Sequence, residues 1–80
     1  MSLFKTTEEQ KNRLYEIAIL MKQYGLDERF VESAVQLAEI YEGAFDLFCL
    51  WADEPEENER YNIECVLNKE IEEFRGLNYI

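Results

Sequence analysis

"DERFVESAVQLAEIYEGAFDLFCLWAD" (Asp27–Asp53) decides how this chain folds, because its reading as one helix or two sets the whole architecture. Phe30, Ala34, Leu37, Tyr41, Ala44/Phe45, Phe48 and Trp51/Ala52 recur every three or four residues, the spacing of one helical face. On a helical wheel the apolar arc covers roughly 200°, about twice the ~100° stripe that a surface helix needs. A helix this apolar needs two neighbours, or one neighbour and another subunit. The periodicity therefore predicts one long central helix over about 28–52. Gly43 is its weak point, costing about 1 kcal/mol relative to alanine inside a helix, and is where a bend is expected if there is one.

The flanks add one helix on each side. Upstream, Thr6-x-x-Glu9 and Thr7-x-x-Gln10 both fit a capping box. Leu14, Ile17, Ala18, Met21 and Tyr24 follow at helical spacing, predicting a first helix over about 7–24. Gly25-Leu26 has the form of a Schellman stop, and Asp27 is a natural N-cap for what comes next. Downstream, Pro55 suits a first helical turn, with Asp53 or Glu54 as cap. Ile63, Val66, Leu67, Ile71 and Phe74 then predict a third helix over about 55–75. Gly76-Leu77 repeats the stop signal, and the tail "LNYI" is apolar enough to dock.

Short turns favour antiparallel neighbours, so the expectation is all-α: one domain, residues 1–80, folded as an up-down-up antiparallel three-helix bundle with a long central helix. That central helix would reach ~37 Å against ~26 Å for the first. The surplus falls at its C-terminal end, around Leu47, Leu50 and Trp51. Either Leu3 and Phe4 cover it or a second copy does, which makes those three residues candidates for homodimerisation.

Composition narrows the function classes. The 80 residues carry 18 acidic and 8 basic side chains, net −10, and no histidine. Residues 1–24 hold four bases and three acids, +1; residues 25–80 hold four bases and fifteen acids, −11. The later two-thirds thus repel nucleic acid and anionic lipid and favour a protein partner with a basic surface. Without histidine the commonest general acid/base and zinc ligand are missing, and Cys49 and Cys65 have no imidazole to activate them. Two cysteines without ligand spacing read as reduced thiols in a cytoplasmic protein. No apolar run is long enough to span a membrane, and the first ten residues lack a signal peptide's core. The reading is a non-enzyme without cofactor or metal.

Three groups of residues are candidates for contact. The first is acidic: Glu32, Glu39, Glu42 and Asp46 form the polar ridge of the central helix, followed by Asp53, Glu54, Glu56 and Glu57. The second cluster lacks the alternating ligands and glycine of a calcium loop, and a helix N-terminus accommodates such carboxylates well. Four carboxylates over about 21 Å of helix give roughly one charge per 5 Å, sparser than the ~1.7 Å spacing of duplex DNA. A basic partner suits this ridge better than mimicry of DNA. The second group is apolar and off the core faces: Tyr15 with Ile19, and Tyr61 with Cys65. The third is the Leu47, Leu50, Trp51 overhang.

"AFDLF" (Ala44–Phe48) resembles the short motif with which many proteins bind the bacterial sliding clamp. Phe45 and Phe48 also satisfy the core periodicity, and that reading takes precedence. The function expected is a small acidic binding module, an inhibitor or adaptor covering a basic surface such as a nucleic-acid-binding one. The alternative is a helical assembly subunit that dimerises through the overhang.

Overall fold

The computed structural model describes residues 4–77, among which there are four α-helices and no strand. They are α1 Glu8–Gln23, α2 Glu28–Ile40, α3 Glu42–Asp53 and α4 Glu57–Leu77. The chain is all-helical as expected, but the long central helix is two helices. The expected three-helix, up-down-up arrangement gives way with it.

The break falls at Tyr41, two residues before the expected weak point. Its backbone is extended, φ −130° and ψ 112°. Its N–H still donates to Leu37 O at 2.8 Å, ending α2, while its carbonyl accepts from Ala44 N (3.1 Å) and Phe45 N (3.2 Å), starting α3. One residue is C-cap and N-cap at once, with no side-chain bond at the new N-terminus. Gly43 supplies the space. The Tyr41 ring lies over it, where a β-carbon would come within 2.7 Å of Cζ.

Packing accounts for the break. A straight helix over 28–52 would project Phe48 and Trp51 past the end of α1, leaving them to water. With the chain turned at Tyr41, Ala44, Phe45, Phe48 and Trp51 meet Val31, Ala34, Leu37 and Ala38 of α2 in one core. Leu14, Ile17, Ala18 and Met21 close it from α1, and Leu67 and Ile71 from α4. Burying a side chain such as Phe48 contributes ~1.5–3 kcal/mol, and Trp51, with its larger surface, adds to this. Phe4 also packs on Phe45, with ring centroids 5.9 Å apart, as one of the expected covers. Leu3 and the "NYI" end of the tail lie outside the described residues.

Helices α2 and α3 form a central layer, with α1 and α4 each packed on both of them and their own backbones apart. Tyr15 of α1 meets Glu39 at the end of α2, and Lys22 lies by Val31 near its start, so these two helices are antiparallel. Helix α4 instead runs alongside α2 in the same sense. Phe30 faces Tyr61 and Cys65, and Ile40 faces Phe74. The described residues span 36 × 26 × 19 Å.

Local signals mostly hold. Thr7 and Gln10 form the capping box, Thr7 Oγ1 accepting from Gln10 N and Gln10 Oε1 from Thr7 N. Gly25 is left-handed (φ 90°), and Leu26 N donates to Met21 O while Gly25 N donates to Lys22 O, the two bonds of a Schellman motif. Asp27 Oδ2 accepts from Phe30 N at 3.1 Å. Other expectations fail. Pro55 precedes α4, which starts at Glu57, and α4 continues through Gly76 without a left-handed residue there. Val66 and Phe74, expected in the core, are 45% and 37% exposed.

Candidate functional site

The break at Tyr41 divides the acidic ridge. Glu32 and Glu39 belong to α2, Glu42 and Asp46 to α3, so the even charge spacing along one helix is lost. Glu32, Glu42 and Asp46 are exposed, and their side chains make no hydrogen bond or ion pair among the described residues. Glu39 is half-buried and accepts from the Tyr15 hydroxyl at 3.2 Å. Its charge, then this bond, raises the Tyr15 pKa above the ordinary 10.0.

The second acidic group serves the α3–α4 connection. Asp53 lies 3.7 Å from the Arg13 guanidinium, with the Arg13 side chain partly and the Asp53 side chain mostly in solvent. Glu54 Oε1 accepts from Glu56 N at 3.1 Å. The Arg60 guanidinium donates to the Glu54 carbonyl (2.9 Å) and the Pro55 carbonyl (3.0 Å), and it sits 5.0 Å from the Tyr24 ring centre. Tyr24 in turn meets the Trp51 ring nearly edge-on at 5.4 Å. Glu56 and Glu57 are exposed. Among the described residues no three histidine, cysteine or carboxylate side chains gather as a metal site.

The two apolar pairs occupy separate grooves. Tyr15 and Ile19 line one between α1 and α2, with Val35 opposite and Lys22 and Glu32 at its edge. Tyr61 and Cys65 line another between α4 and the start of α2, opposite Leu26 and Phe30. The neighbouring Cys65 side chain raises the Tyr61 pKa above the ordinary 10.0. Cys49, half-buried, is also raised, chiefly by burial, with Arg13 pulling the other way.

The self-association group does not hold together. Trp51 is 1% exposed, and its indole N–H donates to Glu64 Oε2 at 2.9 Å. It belongs to the core and offers no outer surface, because α3 folds inward at Tyr41. Leu47 is half-buried and Leu50 is 58% exposed. Phe45 and Phe48 of the clamp-like motif are likewise buried within α3.

Sequence reasoning missed a third groove, between α2 and α4. Ile40, 51% exposed, lines it with Phe74 and with Arg75, whose guanidinium donates to Ser33 Oγ at 2.8 Å. The signal was available: Ile40 lies outside the apolar register of Leu37 and Tyr41. Comparison with known proteins returned no matching family model, curated protein or solved structure.

Proposed function

We propose that this protein is a small, acidic, non-enzymatic binding module that covers a basic surface of a partner protein, as an inhibitor or adaptor. A nucleic-acid-binding surface is one example of such a target. The carrying observation is that the fold pairs almost none of its negative charge with its own cations. Against eighteen acidic side chains in the sequence, the described residues contain one ion pair, Arg13–Asp53, and that pair is solvated. An exposed pair at this distance contributes ~0–1 kcal/mol, so ion pairing does little for stability. Its physical effect is an outward field that speeds and selects encounters with cations. A cytoplasmic setting suits the two free thiols. No helix among the described residues is long and apolar enough to cross a membrane.

The homodimer reading has lost the overhang on which it stood, and Leu50 is its one exposed residue. Affinity capture at low and high salt, with light scattering on the same sample, separates the two readings. The binding reading expects an identified basic partner whose affinity falls with salt and with Glu42→Lys plus Asp46→Lys. Retention of the chain's own copies alone, indifferent to salt, would overturn it.

A further inference from the structure

Two grooves lie in line along the seam between α2 and α4. The first has Leu26 and Phe30 on one wall and Tyr61 and Cys65 on the other, with Asp27 and Glu64 at its rim. The second continues past Ser33 and Ile40 to Phe74 and Arg75. Tyr61 is 63% exposed, more than any other large apolar side chain of the described residues. It stands on a helix, so contact immobilises only two side-chain torsions.

The rim charges are set in place by the fold. Asp27 uses Oδ2 to cap α2, and Glu64 uses Oε2 to accept from Trp51, at 3.1 and 2.9 Å. Each keeps its other oxygen outside those bonds. The only charged side chains lining this groove are these two carboxylates; no Lys or Arg lines it. A second copy would bring its own net −10 to a negative rim, and an anionic lipid surface would be repelled in the same way. Charge complementarity selects a cation.

We propose that the α2–α4 groove around Tyr61 is the docking site for a cationic amphipathic helix of a partner protein. Tyr61 and Phe30 take its apolar face, and Asp27 and Glu64 take its Lys or Arg side chains. The seam is walled by helices, and the described residues contain no strand edge to extend, so helix-in-groove docking with anchors at i, i+3/i+4 and i+7 is the mode that fits. The site rests on the acidic binding reading above and gives it a place.

The probe is a synthetic Leu/Lys amphipathic helix of about 18 residues, long enough to hold helical structure when bound. A scrambled peptide of the same composition is its control. Both are added to the intact protein at low salt. Alkylation of Cys65 and Cys49 by N-ethylmaleimide is followed by peptide mapping, and amide shifts by NMR. The amphipathic peptide is expected to slow Cys65 alkylation several-fold while leaving Cys49 unchanged, with shifts at Leu26–Phe30 and Tyr61–Asn68. Tyr61→Ala should weaken binding about tenfold and Tyr61→Phe far less, as for an aromatic anchor. Tyr61 is exposed, so the variants fold, which circular dichroism checks. Shifts confined to Glu32, Glu42 and Asp46 with Cys65 still reactive would overturn the groove and leave the acidic reading standing. Equal binding of both peptides, untouched by Tyr61→Ala, would also overturn the groove. No binding of either would overturn the groove, while the acidic reading is judged by the capture experiment.

Discussion

The Tyr41 ring lies directly over Gly43, with the ring tip where a β-carbon of residue 43 would stand, 2.7 Å from Cζ and 2.8 Å from the hydroxyl oxygen. Gly43 is helical with ordinary φ, so alanine is conformationally allowed there. Two effects oppose each other in Gly43→Ala. Helix propensity favours alanine by up to about 1 kcal/mol. Displacing the ring forfeits a comparable amount of packing. The expected result is near-neutral stability in the native background and a gain of about 1 kcal/mol when Tyr41→Ala is already present. A urea double-mutant cycle reads this coupling. Equal gains in both backgrounds would mean that the ring does not rest on Gly43.

How far the fold was legible follows from how local each signal is. The Thr7–Gln10 box, the Asp27 cap and the Gly25–Leu26 stop act within four or five residues, and each forms as the sequence implies. The break at Tyr41 has one local sign, Gly43 two residues on, which marks a weak point without fixing a turn. The apolar register runs unbroken from Leu37 through Tyr41 to Phe45, and only the tertiary need to bury Phe48 and Trp51 interrupts it. The same blindness made Trp51 a surface candidate, and it hid the parallel α2–α4 seam where Tyr61 and Phe74 lie. Tyr15, Ile19 and Tyr61 were recognisable as exposed because each falls off its helix's core stripe.

Trp51 and Glu64 make a second measurable pair. The indole is buried, and its N–H has Glu64 Oε2 as partner at 2.9 Å. Glu64→Ala leaves that donor without its partner, at an expected cost of about 1–3 kcal/mol. Glu64→Gln keeps an acceptor oxygen and should cost less. Urea titration followed by the fluorescence of the one tryptophan reads both. Identical losses for the two variants would assign Glu64 a role other than accepting this bond.

Alkaline pH should weaken the fold. Burial lifts the Cys49 thiol above 9.0, and Glu39 lifts the Tyr15 hydroxyl above 10.0. In both cases folding favours the protonated form. That stability is fully present below the ordinary value and is lost as pH rises through the raised one. The urea midpoint should therefore fall from about pH 9 upward, starting with Cys49. Cys49→Ala should remove the early part of the fall and Glu39→Gln the later part. An unchanged profile in both variants would assign the effect to Tyr61, which is also raised, and to general repulsion in an increasingly anionic chain.

Leu50 and Trp51 are neighbours in sequence with opposite surroundings, and they test the inward turn of α3. Trp51 fills the centre of the core, so Trp51→Ala should cost about 3–5 kcal/mol and sharply lower the urea midpoint. Leu50, 58% exposed, faces away from that core. Leu50→Asp should leave stability within about 0.5 kcal/mol. It also probes self-association, because an aspartate at an apolar contact would be buried without a partner. If light scattering shows a dimer that Leu50→Asp dissolves while the monomer stays folded, α3 presents an assembly surface through Leu50 and the acidic face keeps it soluble. If the mass is that of a monomer before and after, Leu50 is an isolated surface leucine. The turn at Tyr41 has then done in one chain what a second chain was needed for in the single-helix reading.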